Sequence, residues 1–281
     1  MASAPQNSAS ITRVPMTLKY RCTMAARRAL LFAPMDEENV CGMFTVPHII
    51  SLIICIIAIG TAIYFARNIS DSTLKNLTRI FAYIFTAMEI IKIIYKFSYG
   101  YTEQLDFWFP LSFCSLFIYA LWMVGFGNGI IYKLGLSFIV GGCFMGGSSF
   151  LVVPATSLMD YPIYHYLSIH SMLFHSCMVF MAILYIRKRY MDVTFKTYRY
   201  YAPFVASACI LSVILNLIFN ANLMIMRNPV NIPIGFVNDI YEACPPVFTI
   251  FAFLAYTIIP YVVAIIVYRI SLLIKDNKNP S

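Results

Sequence analysis

Seven apolar runs, each near the roughly 20 residues a helix needs to cross about 30 Å of hydrocarbon, constrain this 281-residue chain more than any other feature. They fall at about Val46–Ala66, Arg79–Tyr99, Trp108–Phe126, Ile130–Val153, Tyr164–Ile186, Tyr201–Met226 and Val247–Ile270. The expected fold is all-α: a polytopic membrane protein with seven transmembrane helices in residues 43–274. Residues 1–42 form an N-terminal extension outside the fold, and residues 275–281 a cytosolic tail.

Composition agrees. A chain with 60% hydrophobic residues, 11% charged residues and a mean hydropathy of +0.77 lies far outside the soluble globular range. The net charge of +8 does not imply a nucleic-acid partner, because the bases are split between the N-terminal stretch and the loops, with no aromatic-interleaved basic face. Residues 1–35 hold Arg13, Lys19, Arg21, Arg27 and Arg28 and no acid. That composition fits an organelle transit segment, a disordered tail, or sequence upstream of a start at Met35. The eight cysteines form no C-x-x-C pair and no zinc spacing, and Cys55, Cys114, Cys143, Cys177 and Cys209 lie inside apolar runs. Cys41 and Cys244 lie outside them and can pair if both reach an oxidising side.

Lysine and arginine set the expected orientation. Arg67, Lys75 and Arg79 in the first loop, Lys133 in the third, Arg187 to Arg189 with Lys196 and Arg199 in the fifth, and Lys275 and Lys278 in the tail fall on one side. Glu103 and Asp106, Asp160, and Asp239 and Glu242 mark the loops between. The N-terminus is therefore expected outside and the C-terminus in the cytosol; which membrane is left open. The triplets Asn68-Ile-Ser and Asn76-Leu-Thr then face the cytosol and stay unglycosylated.

In this frame the polar groups inside the runs cluster in the outer half of the bilayer. Three of the four histidines lie in the fifth run: His165 at the interface, His170 roughly 8 Å deeper and His175 roughly 15 Å deeper. Ser112 and Cys114 stand in the outer third of the third run, Asn216, Asn220 and Asn222 in the outer half of the sixth, and His48 at the outer end of the first. Glu89, Lys92 and Lys96 are spaced i, i+3, i+7 and share one helix face. An ionisable residue at membrane depth is costly, so it is either paired locally or lines a polar cavity. A single outward-facing cavity gathers all of these groups.

Three chemistries suit such a lining. Cys114 beside His175 is the minimal acyl-transfer arrangement, with the imidazole as base, the thiolate as nucleophile, and Glu89 or Asn216 fixing the tautomer. His48, Ser112, His165, His170, Asn216, Asn220 and Asn222 are then substrate-binding candidates. Metal binding is disfavoured, because the i+5 spacing of the histidines turns them about 140° apart on a helix. No metal or other cofactor is implied. A non-enzymatic transporter or sensor of small molecules or lipids uses the same pocket without the covalent step, although no internal repeat is visible.

The ordered positions Phe44-Thr-Val-Pro-His48, Glu89, Phe109-Pro-Leu-Ser-Phe-Cys114, His165 with His175, and Asn220-Ala-Asn-Leu-Met224 with Asn228-Pro229 resemble the YwaF-type integral membrane proteins, over about Met43 to Ile270. The resemblance implies a multi-helix membrane fold whose eukaryotic relatives are regarded as ether-phospholipid acyltransferases working through a cysteine and a histidine. It puts Cys114 and His175 in those positions and makes membrane phospholipids or their acyl chains the expected partners. Ser112 departs from the bacterial Pro-Leu-His-Leu-Cys pattern. Leu111 stands where the eukaryotic branch places its cysteine.

Overall fold

A computed structural model describes residues 30–35, 39–230 and 232–276. The transit-segment, tail and start-site readings cover residues 1–35, of which residues 1–29 lie outside the described residues, as does the tail beyond residue 276. Among the described residues the fold is all-helical, with 74% helix and no strand. Five helical stretches are long and apolar enough to cross a membrane: Val46–Ala66, Gly129–Asp160, Tyr166–Lys188, Tyr198–Phe219 and Pro245–Leu273.

The helices are α1 (Val46–Ala66), α2 (Asp71–Ser98), α3 (Leu116–Phe126), α4 (Gly129–Gly141), α5 (Cys143–Val152), α6 (Tyr166–Lys188), α7 (Tyr198–Phe219), α8 (Gly235–Ala243) and α9 (Pro245–Asp276). Local chemistry explains their ends. Thr45 caps α1 by accepting from the His48 N–H, with Pro47 in the first turn, where its missing donor costs nothing. Ser70 caps α2 through the Thr73 N–H.

Besides a turn at Gly142 that divides the fourth run into α4 and α5, two of the expected runs depart from continuous helix. The third begins at Leu116 and not near Trp108, because Pro110 lacks an N–H and restricts Phe109 before it. At 11 residues α3 is about 17 Å long, short of the hydrocarbon thickness. The sixth ends at Phe219, where Asn220 takes the left-handed conformation that asparagine tolerates well (φ 53°, ψ 35°). α2 is long enough, at 28 residues, but carries Lys75, Arg79, Glu89, Lys92 and Lys96 and is not apolar enough to count among the five.

α6 is the central post, packing against α1, α2, α4, α5 and α9. Of its apolar window 67% is buried, against 0% for α1, whose isoleucines Ile53, Ile54, Ile56 and Ile57 are all at least half exposed. Such a face suits lipid and not water. The glycines of the fourth run serve close packing. A Cβ at Gly147 would stand 2.6 Å from the His175 carbonyl oxygen, and one at Gly141 would stand 2.6 Å from the Tyr261 ring. Tyr261, next to the kink-forming Pro260, bonds Thr197 Oγ1 at 2.7 Å and the Thr194 carbonyl at 3.1 Å, tying α9 to the loop before α7. Cys41 and Cys244 are both free thiols, so the pairing between them is absent.

Candidate functional site

The polar residues singled out in the sequence separate into two groups once their bonds are traced. The first group is consumed by backbone. His48 is fully buried at the start of α1; its Nδ1 accepts from the Phe44 N–H at 3.0 Å and its Nε2–H donates to the Leu151 carbonyl at 2.9 Å. His165 is fully buried as the N-cap of α6. Its Nδ1 accepts from the Leu167 N–H at 3.2 Å, its Nε2–H donates to the Ala33 carbonyl at 3.1 Å, and its ring stacks on Tyr161 with centroids 4.3 Å apart. With both ring nitrogens engaged, neither histidine has a lone pair or proton to offer.

The asparagines fold the chain after α7. Asn216 grips both backbone groups of Leu223, its Nδ2 donating to the carbonyl at 3.0 Å and its Oδ1 accepting from the N–H at 2.7 Å. Asn222 accepts from the N–H groups of Arg227 and Asn228, donates from Nδ2 to the Asn228 carbonyl at 2.9 Å, and gives its own N–H to Asp106 Oδ1 at 3.1 Å. Asn220 accepts from the Arg227 guanidinium. Ser112, exposed, accepts from the Ser115 N–H at 3.1 Å and opens the turn that leads into α3.

The second group keeps chemical capacity. Glu89 on α2 is 6% exposed and pairs through Oε1 with Lys92, one turn on. Its Oε2 lies 3.9 Å from His170 Nε2 on α6, beyond hydrogen-bond reach. That imidazole nitrogen, on a side chain also 6% exposed, has no hydrogen-bond partner among the described residues. Lys96, on the same helix face, turns instead to Tyr161, donating to its hydroxyl at 3.1 Å among the rings of Tyr101, Phe107 and Tyr161. Below His170 the rings of Phe174, Phe85 and Phe117 close edge to face and tilted, with centroids 5.1 to 5.8 Å apart.

His175 lies flat against Phe150 of α5, ring centroids 3.8 Å apart and planes 9° from parallel. Its Nδ1–H donates to the Ser171 carbonyl at 2.6 Å, one turn back on α6. That bond fixes the neutral tautomer with the proton on Nδ1 and leaves the Nε2 lone pair as a base. Cys114, just before α3, points its thiol at the Gly146 carbonyl of α5, 3.9 Å away. Among the described residues no hydrogen bond joins Cys114 to an imidazole.

The candidates therefore bond in separate groups, with Phe174 touching both the His170 and the His175 ring. Glu89, Lys92 and His170 come together; Cys114 and His175 both rest on α5; His48, His165, Ser112, Asn216 and Asn222 bind backbone elsewhere, and Asn220 binds the Arg227 guanidinium. Two surface concavities, one lined by Asp71, Lys75, Tyr132, Tyr185 and Tyr190 and one by Ile93, Ile94, Phe97 and Ser98, hold none of the candidates. Sequence reasoning missed Phe150, whose role shows only when α5 is laid on α6. It also missed Ser176, whose buried hydroxyl is without a partner among the described residues and whose signal was its place beside His175.

No curated protein and no solved structure matches the chain significantly. The helices that can span a bilayer, the lipid-suited face of α1 and the polar groups held within the bundle describe a multi-pass integral membrane protein. Residues 43–274 match the sequence profile of the TMEM164 family, a family of membrane proteins, and the chain belongs to it.

Proposed function

We propose that this protein transfers acyl chains between membrane lipids, with Cys114 as nucleophile and His175 as general base. The observation that carries the reading is the tautomer of His175: Nδ1–H is committed to the Ser171 carbonyl, so Nε2 is free to take a proton. The two side chains meet the same helix. The thiol is at the Gly146 carbonyl, while the imidazole covers Phe150, four residues further on the same face and about 6 Å along the axis. Side chains lean towards the helix N-terminus, so Phe150 reaches back over the Gly146–Gly147 turn and brings the imidazole with it. No hydrogen bond joins base and thiol among the described residues, so the proposed step needs the incoming ester to draw them together, as catalytic contacts commonly tighten only around substrate.

The chemistry balances in two halves. His175 Nε2 takes the thiol proton, the thiolate attacks the ester carbonyl of a glycerolipid, and the C–O bond breaks with the proton going to the departing lipid hydroxyl. A second lipid hydroxyl, deprotonated by the same nitrogen, attacks the thioester and restores the thiol. Glu89 and Lys92, with His170, supply the polar contacts for the headgroup side of the substrate. Support for lipid as partner comes from the apolar outer surface and from the resemblance to acyltransferase-related membrane proteins.

In this reading the chain crosses seven times, with α2 and α3 adding two spans to the five. α2 reaches about 42 Å, and its charges are either near its ends or paired, while residues 105–115 continue α3 as irregular backbone, anchored by the buried Leu111, Phe113 and Ser115. The N-terminus is outside and the C-terminus cytosolic. Asn68 and Asn76 then carry no glycan; a glycan on either inverts the topology.

The test is purified protein in liposomes containing a phospholipid with a labelled acyl chain and a lysophospholipid acceptor. Transfer is expected for the native chain, together with a hydroxylamine-sensitive acyl-protein. Cys114→Ala abolishes both. His175→Ala lowers the rate by about 10²- to 10⁴-fold. Transfer that persists in Cys114→Ala sinks the proposal. The competing transporter or sensor reading draws on the thiol's bond to a carbonyl instead of an imidazole; solute flux that survives Cys114→Ala supports it.

A further inference from the structure

Residues Phe32–Met35 lie in a cradle of tyrosines at the Ser98 end of α2 and the Tyr166 end of α6. The Tyr95 hydroxyl donates to the Ala33 carbonyl at 2.7 Å and the Tyr99 hydroxyl to the Phe32 carbonyl at 2.8 Å. His165 Nε2–H donates to the same Ala33 carbonyl, and the Met35 N–H donates to the Tyr101 hydroxyl at 3.1 Å. All four bonds read main chain and not side-chain identity. The one inserted side chain is Phe32, stacked on Tyr166 with centroids 5.0 Å apart.

What lies beneath gives the cradle a consequence. The Tyr166 ring is 5.9 Å from the His170 ring, and its hydroxyl donates to the carbonyl of Met88, the residue before Glu89. Phe32 thus covers Tyr166, Tyr166 covers His170, and the Phe174–Phe85–Phe117 cluster forms the floor. Between cover and floor sit a paired carboxylate and an imidazole nitrogen that is buried and unbonded, an arrangement that calls for a polar guest. The cover is held by these four bonds and by the Phe32 ring, while Leu31 and Met35 on either side are exposed, at 42% and 37%, as is the Met35–Tyr101 bond. Segments with few buried contacts and exposed backbone bonds open at low cost.

We infer that the cradle of Tyr95, Tyr99, Tyr101 and His165 is a backbone-reading peptide site occupied in cis by residues 32–35, and that this segment is a removable cap over the Glu89–Lys92–His170 cluster. Release replaces four main-chain bonds with bonds to water and withdraws Phe32, opening the way past Tyr166. The inference concerns access and not reaction, so it stands or falls separately from acyl transfer.

The experiment uses the full chain in detergent micelles with His170→Cys as a reporter and an uncharged maleimide as probe, the labelling of native cysteines being subtracted with the parent chain. Adding Tyr95→Phe, Tyr99→Phe and Tyr101→Phe removes three anchors while keeping the rings. Labelling at position 170 is expected to become at least about tenfold faster, since each lost hydrogen bond weakens closure by a factor of a few. An unchanged rate overturns the cap. Because Tyr95 is buried and its loss can disturb folding, a second chain carries only Phe32→Cys and Tyr166→Cys. A short bifunctional thiol reagent is expected to join them in good yield; failure to cross-link overturns the docking itself.

Discussion

His165 and His175 lie ten residues apart on one helix, both buried, and a reader of the sequence alone would treat them alike. At the end of α6 the imidazole spans two backbone groups, one from its own helix and one from Ala33, and is spent. In the middle of α6 every backbone N–H and C=O is already paired within the helix, so an imidazole there meets no orphan backbone group. It can only share a carbonyl one turn back, as His175 does with Ser171, or stay unbonded, as His170 Nε2 does. The lesson is about position. Polar side chains near helix ends are absorbed by the termini they cap; those in helix middles keep their chemistry unless a side-chain partner takes it.

The sharpest test of that contrast is a pair of substitutions. His165→Ala strands the Leu167 N–H, takes one of two donors from the Ala33 carbonyl, which keeps the Tyr95 hydroxyl, and opens a void against Tyr161, so a stability loss of about 2 to 4 kcal/mol is expected. His165→Asn restores the N-cap acceptor and recovers part of it. His175→Ala removes a side chain whose one hydrogen bond among the described residues is to a carbonyl already used by the helix, so its thermal midpoint is expected to fall less, while the proposed acyl transfer is expected to collapse. Midpoints measured in one detergent decide it: equal losses at the two positions would erase the distinction.

Next in size is the asparagine grip. Asn216→Ala leaves the Leu223 N–H unpaired in a buried turn and its carbonyl with only the 3.4 Å bond from the Met226 N–H, and is expected to cost about 1 to 3 kcal/mol. Asn216→Asp keeps the acceptor for the Leu223 N–H but faces a carboxylate with the Leu223 carbonyl, so it recovers little. A variant with lost transfer at full stability would return Asn216 to substrate binding.

These residues also show what the sequence could and could not disclose. Apolar runs located the helices because each run is self-sufficient in backbone bonds, and the two departures were written in Pro110 and Asn220, whose backbone preferences are local. The partners of the polar groups were not legible: His48 bonds a carbonyl 103 positions away and His165 one 132 away, and a carbonyl leaves no trace in residue identity. Glu89 with Lys92 was readable from i,i+3 spacing, whereas the approach of His170 depends on how α2 faces α6.

Ser112 gives the smallest expected effect and tests the boundary of the comparison. It stands two residues before Cys114, in the irregular stretch that Pro110 creates, and its hydroxyl accepts from the Ser115 N–H while pairing with the Ser115 hydroxyl at 2.8 Å. By the rule that end positions are spent on backbone, Ser112→Ala should behave as a lost cap, costing about 1 kcal/mol or less, with transfer unchanged once the rate is expressed per folded protein. Yet the same turn aims Cys114, so a hydroxyl that holds the turn also holds the thiol. If Ser112→Ala slows transfer more than it lowers stability, while Ser112→Thr, which keeps the acceptor, restores it, the residue positions the nucleophile; if Ser112→Thr fails as well, the hydroxyl meets the substrate directly and the division between spent and open side chains breaks here first.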